Sequence, residues 1–432
     1  MSEENRAESL VDAQPPSREE HVVSERSSRA LKMLRSAEKP RVVVVGGQFA
    51  GRRASRLLRR GGEFDVTLVD AKGFWEYTPG VLRCLVEPAA AQRMVLPQPR
   101  GTVRATVVGL ETSEGGKSAT GVKLNDGSTL PADHVVLATG STYTDPVKAA
   151  HDIASTPEGR REQIRAAHAT LASAAGVVIV GGGTVGVELA AEIAGTWGRH
   201  KVVTIVTPGD RLLERMPPRA GRLAQRWLEQ KGVWVILNDR IEDWDGAPRD
   251  SAIPRPDGGE WCLRTEQGRE LRASLVYPCV GGQPSAPLDA NRRDPRGAIN
   301  VDAGLRVEGF DNVYGAGDCA STKEEKNAFS ADLNATAVVR NIRARRAGRP
   351  ARGYPRSVCG SDSVPRIAVV SLHKWNAVMQ FNGLVLGGAF PAFVKWFIEA
   401  MQISSAAGVL GATALWDAVE ALNVFLAARV PF

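Results

Sequence analysis

Two short glycine clusters are where this sequence most plainly holds chemistry. Val42-Val43-Val44-Val45-Gly46-Gly47-Gln48-Phe49-Ala50-Gly51 recurs in pattern as Val177-Val178-Ile179-Val180-Gly181-Gly182-Gly183-Thr184-Val185-Gly186. A β-branched run that stops at glycines and hands over to a helix-forming stretch presents bare backbone N–H groups at the positive end of a helix dipole. That arrangement takes an anion, and at this glycine spacing the anion is the pyrophosphate of a dinucleotide. In the first copy Gly46, Gly47 and Gly51 shape the turn, with Phe49 and Ala50 inside the same cofactor-binding stretch. Gln48 stands where the middle glycine of the pattern belongs and is expected to crowd the pyrophosphate. Asp70 closes the next hydrophobic strand, where a carboxylate would bind ribose hydroxyls.

The second copy has the complete pattern in Gly181, Gly183 and Gly186. Its following strand ends in Thr207, where NAD-selective sites usually carry an acid, so the repulsion that a ribose 2′-phosphate would feel is missing. Arg211 is expected either to pair with that phosphate or to be solvated, and NADPH is expected to be accepted alongside NADH. Glu188, in the first turn of the second helix, either balances the helix dipole or reaches the nicotinamide. Two further strands end in glycine, one at Thr139-Gly140 and its looser counterpart at Gly281, and both belong to the expected cofactor-binding set. Gly317-Asp318 lies between a buried strand and a helical run. There the carboxylate could bind a polyol while the helix start stabilises a reduced flavin; the plain alternative is an N-cap without a ligand.

The elements that must position these residues follow from the same repeats. Each glycine copy opens a βαβ unit in a parallel sheet buried on both faces, so the fold class expected is α/β, with two Rossmann-like dinucleotide-binding domains and an α-rich C-terminal domain. The expected division is a disordered polar tail over 1–38, a flavin domain over 39–150 that resumes over 282–350, a nicotinamide domain over 151–281, and a C-terminal domain over 356–432. Residues 102–130 read as β-rich, with a hairpin signal at Asn125-Asp126-Gly127. In the C-terminal part, Phe390, Phe393, Val394, Phe397 and Met401 form a stripe at helical spacing. A second apolar run over 410–428 is interrupted by Asp417, Glu420 and Asn423, which makes it a poor membrane span. Such stripes serve as core, as a dimer interface or as a peripheral membrane contact.

Composition excludes several classes. With 43% hydrophobic residues and 44 glycines in 432 residues, the chain suits a globular enzyme rather than a disordered or fibrous protein. The net charge of +7 comes from scattered Lys and Arg without interleaved aromatics, so no nucleic-acid partner is expected. Five cysteines without a Cys-x-x-Cys argue against a disulfide framework or a bound metal and favour a reducing compartment. Cys84 is either a small core residue or the lone thiol of a disulfide or peroxide reductase. Ser2 excludes N-myristoylation, and neither a signal nor a transit peptide is evident.

Taken together, these residues resemble the two-dinucleotide-binding flavoprotein superfamily, and within it the AIF-like, ferroptosis-suppressor-like NAD(P)H oxidoreductases related to type II NADH dehydrogenases. Both glycine motifs carry the resemblance, with Phe74-Trp75-Glu76-Tyr77-Thr78-Pro79-Gly80-Val81-Leu82-Arg83 and Lys326-Asn327-Ala328-Phe329 pointing to the narrower group. The resemblance implies FAD at Gly46, Gly47, Gly51, Asp70 and Asp318, with Thr78 and Pro79 beside its ring. It implies the nicotinamide dinucleotide at Gly181, Gly183, Gly186 and Glu188, and Lys326 on the acceptor side of the flavin. The activity it implies is hydride transfer from NADH or NADPH to FAD and onward transfer to a quinone-like acceptor, with Lys326 and Glu188 as catalytic candidates. The Ala-Gln repeat that type II dehydrogenases carry near their quinone site is missing after Asp318. A flavoprotein with a mainly non-catalytic binding role is the competing expectation. A cytoplasmic location is expected, with peripheral membrane association compatible and a mitochondrial one not excluded.

Overall fold

The computed structural model describes residues 39–149 and 155–429, so the tail expected over 1–38 lies outside the described residues. The first valine run forms the strand Arg41–Val45, parallel to Asp65–Asp70 on one side and to His134–Leu137 on the other. Val313–Gly315, from much later in the chain, adds beyond His134–Leu137, and Val103–Arg104 closes the opposite edge. β-Branched residues on both sides of each strand require both faces of this sheet to be covered. The helices Phe49–Arg59 and Ala328–Arg346 cover one face, with Ala54, Leu58, Val338 and Ile342 in a common core. The antiparallel strands Val107–Thr112, Ala119–Leu124 and Thr129–Pro131 cover the other.

A second sheet repeats the plan around Gly176–Val180, which lies between Val202–Val206 and Leu275–Pro278, with Trp234–Ile236 at the edge. Here the helices Thr184–Trp197 and Pro218–Gln230 pack on one face, and the strands Ile241–Asp243, Trp261–Thr265 and Glu270–Ala273 on the other. Both glycine turns therefore sit at the carboxyl ends of central parallel strands, where open α/β sheets leave a crevice for ligands.

The C-terminal segment contains the two helices expected there and a sheet in addition. It is a three-stranded antiparallel sheet, Ile367–Ser371, Ala377–Phe381 and Leu384–Gly388, followed by the helices Ala389–Ala406 and Ala412–Ala427. Asn382 takes φ +51 in the two-residue Asn-Gly connection between the second and third strands. The apolar stripe of the first of these helices faces outward: Phe390, Phe393 and Trp396 are exposed, while Lys395 and Gln402 turn toward the interior. On the second helix Leu415, Leu422 and Phe425 are exposed, and Trp416 and Glu420 are buried. No helix among the described residues is long and apolar enough to cross a membrane.

Candidate active site

A cavity of about 2500 Å³ runs from the first glycine turn to the second and under the C-terminal segment. A single small-molecule pocket occupies roughly 300–1,000 Å³, so this volume accommodates more than one ligand of that size. Gly46, Gln48, Phe49, Ala50 and Asp70 line one end, with Thr78, Pro79, Thr139, Gly140, Gly317, Asp318 and Lys326 around it; Gly183, Glu188, Thr207 and Gly281 line the other. The remaining glycines shape the turns from behind. A Cβ on Gly51 would lie 1.8 Å from the Gly46 carbonyl oxygen, and one on Gly186 would lie 2.0 Å from that of Gly181. Gly47 and Gly181 lie equally outside the lining, and Gly181 holds φ +124. Gly183, by contrast, has nothing within 4 Å in its Cβ direction, leaving the backbone open to a close ligand.

Asp70 is positioned by three donors: Gly47 N at 2.5 Å, Lys72 N at 2.7 Å and Gln98 Nε2 at 3.1 Å. Burial pushes its carboxyl pKa up, against the pull of these bonds. Gln98 Oε1 is buried beside it without a partner. Gln48 does not swing across the turn as its size led us to expect. Its Nε2 donates to the Phe74 carbonyl at 3.0 Å and its Oε1 accepts from Glu76 N at 3.1 Å, so the amide anchors the strand Phe74–Glu76 instead. On the far side, Asp318 Oδ2 accepts from Ser141 Oγ at 2.9 Å and faces Lys148 Nζ at 3.5 Å. These groups fit a dinucleotide whose ribose meets Asp70 and whose polyol chain meets Asp318.

At the second turn, Glu188 Oε1 accepts from Lys395 Nζ at 2.6 Å and from Ser371 N at 2.7 Å. The C-terminal segment is thus tied to the second glycine helix at the cavity wall. Thr207 is buried, and Arg211 is held by Asp210 at 3.0 Å and by the Glu214 carbonyl at 2.8 Å, with its Nε buried and unpartnered. The Glu214 carboxyl stands over Gly209, 2.5 Å from where a Cβ would be, so a negative charge does reach this end of the strand, from a turn rather than from position 207. Lys326 Nζ donates to the Ala320 carbonyl at 2.7 Å and to Thr322 Oγ1 at 2.6 Å, which commits the ammonium to the loop after Asp318. Burial lowers its pKa.

A family model described as pyridine nucleotide-disulphide oxidoreductase matches residues 40–338. The chain belongs to that family. Ferroptosis suppressor protein 1 of Taeniopygia guttata is 28% identical over 370 residues, covering 82% of this chain and 92% of the relative. Apoptosis-inducing factor homolog B of Dictyostelium discoideum is 28% identical over 338 residues, covering 73% and 83%. Among solved structures, the sulfide:quinone oxidoreductase of Aquifex aeolicus aligns with a TM-score of 0.68 at 15% identity, covering 86% of this chain and 92% of that one. The putidaredoxin reductase chain of its covalent putidaredoxin complex aligns at 0.60 and 20% identity, covering 79% and 81%. These two likenesses establish the shared fold.

In this member of the pyridine nucleotide-disulphide oxidoreductases all five cysteines are free thiols. Cys84 is fully buried against Met94 Sδ at 3.4 Å and does not line the cavity; burial pushes its thiol up to about 12. A thiol held protonated in this way is a poor nucleophile. Sequence reasoning missed Gln98, Lys148, Ser371 and Lys395. The first two lie in stretches without a motif, and the last two belong to the sheet and helix whose packing only the tertiary structure reveals.

Proposed function

We propose that the chain is an FAD-dependent NAD(P)H oxidoreductase that delivers electrons to a quinone-like acceptor. The observation that carries this reading is the single cavity joining Gly46, Asp318 and Gly183, with Glu188 in its wall. FAD bound there would take two electrons from the nicotinamide and release them to the acceptor. The chain itself binds and orients. Asp70, positioned by Gln98, holds the adenosine ribose, Asp318 with Lys148 holds the polyol, and Thr78 and Pro79 wall the ring. Glu188, fixed by Lys395 and the Ser371 N–H, orients the nicotinamide; holding reactants in line is the main contribution such a site makes. Lys326 lines the same cavity, its ammonium held by the loop after Asp318.

The C-terminal sheet roofs the cavity with Ile367, Val369 and Val370; Val364 joins them from the loop before it and Ile398 from the following helix. This apolar roof suits a lipid-soluble ring. A solved neighbour whose name includes quinone supports the same acceptor class. The outward apolar faces of the two C-terminal helices support docking on a lipid surface, where such an acceptor resides. A thiol-dependent reaction is disfavoured by the burial of Cys84. The test is anaerobic reduction of the purified yellow protein by NADH and by NADPH, followed by mixing with a quinone. Rapid reoxidation is expected; reoxidation by disulfide or peroxide alone would overturn the reading.

A further inference from the structure

Beneath the main cavity lies a second, small one of about 20 Å³, lined by Arg83, Glu188, Glu192, Ser371, Lys395 and Glu399 among others. A polar void needs roughly 10–15 Å³ to hold a water, so this one has room for a single molecule among ionisable groups. Glu188 and Lys395 line both cavities. At the opposite end Glu399 is ion-paired with Arg93, whose side chain is 50% exposed. The void therefore spans from near the surface to the wall of the candidate active site.

Glu192 stands in the middle of this path. It lies one helical turn beyond Glu188 on the same face of Thr184–Trp197, and its side chain is only 3% exposed. Arg83 grips it with Nε at 2.8 Å and Nη2 at 2.7 Å. No step described so far uses it. Yet NADH + H⁺ + quinone → NAD⁺ + quinol consumes one proton beyond what the nicotinamide carries, and Glu192 is a buried carboxyl one turn from the cavity wall at Glu188.

We propose that Glu192 and the water of this small cavity form the inlet for that proton, which passes from the Arg93–Glu399 end to Lys395 and Glu188 and on to the acceptor. The inlet rests on the quinone reading above. Glu192 acts through its neighbours and is a positioning and relay residue. Arg83 from the helix Val81–Val86, Glu188 on its own helix, and Lys395 and Glu399 from the C-terminal helix are the charged groups that face it. Burial raises its pKa above the ordinary carboxylate range while Arg83 and Lys395 oppose the shift, which leaves the carboxyl able to take up and return a proton.

Ferricyanide separates electron flow from proton uptake, because NADH + 2 ferricyanide → NAD⁺ + 2 ferrocyanide + H⁺ consumes none. Glu192→Gln is expected to lower quinone turnover by about a hundredfold, the low end of what a positioned proton donor contributes, while ferricyanide turnover stays at the wild-type level. Glu399→Gln, at the outer end, is expected to show the same split to a smaller degree, and it stands in if Glu192→Gln does not fold. In the flavin-free protein, infrared titration should find a carboxylic acid band that titrates above the ordinary carboxylate range and is missing in Glu192→Gln. Equal loss with both acceptors, no loss with quinone, or no such band would overturn the inlet. Wild-type protein that reduces ferricyanide but no quinone would overturn the acceptor reading instead.

Discussion

Single residues decide how the two nucleotide ends discriminate. Asp318 meets Ser141 and Lys148, so replacing its carboxylate with an amide removes the charge that Lys148 faces and an acceptor for the polyol. Asp318→Asn is expected to weaken FAD retention by about tenfold or more, as measured by release of flavin fluorescence on dilution. At the other end, Thr207 offers no repulsion to a 2′-phosphate, but the Glu214 carboxyl stands over Gly209 nearby. Thr207→Glu should therefore raise the KM for NADPH at least about tenfold with little change for NADH, and Glu214→Gln should shift the ratio the opposite way. Steady-state kinetics with both nucleotides check this; equal shifts would place the ribose elsewhere. Cys84, buried against Met94, gives Cys84→Ser near-wild-type quinone turnover.

At the scale of elements, the last helix is clamped by charge. Arg53 on the first glycine helix faces Asp332 at 3.6 Å and Asp417 at 3.5 Å and is paired with Glu420, while Arg56 holds Asp417 at 2.9 Å. Asp332 and Glu420 are both buried on one guanidinium, and Glu420 Oε1 has no partner, so burial and mutual repulsion raise both pKa values, that of Glu420 to about 8. An acid whose pKa is raised on folding binds more protons folded than unfolded, so its stabilising contribution declines as pH rises from about 4.5 toward 8. Glu420→Gln should flatten that decline, by a few degrees in Tm across the interval. Calorimetry over that range checks it, and an unchanged slope would mean that the pair does not share a proton. The parallel strands and glycine turns were legible in the sequence because uninterrupted valine runs have one use, a sheet covered on both faces. The C-terminal sheet was not. Ile367–Ser371 and Leu384–Gly388 are short and half-buried, and only Gly387 and Gly388 separate the last apolar residues of the second from the helix that follows. The Asn382-Gly383 turn was the available signal. Lys395 could not be found as the partner of Glu188, because nothing local marks a contact between residues so far apart in the chain.

The whole molecule carries a net charge of +7 and turns an apolar surface outward through Phe390, Phe393, Trp396, Leu410 and Phe425. Leu410, at the connection between the two helices, is fully exposed. A protruding apolar tip on a cationic protein suits an anionic lipid surface better than a flat contact with a second copy. Wild-type protein should co-sediment with anionic vesicles and Leu410→Glu should not; a stable dimer in the absence of lipid, broken by the same change, would assign the face to self-association. The strand Val313–Gly315 has a consequence of another kind. The first module is written in two pieces, and its sheet lacks an edge strand and the second of its covering helices until residue 346 has been synthesised, whereas the second module is complete by residue 278. At about 5–20 residues per second, a ribosome therefore exposes a finished second module several seconds before the first can close. Birth order and chain order are inverted: of the two modules, the one that comes first in the sequence is the last to be completed.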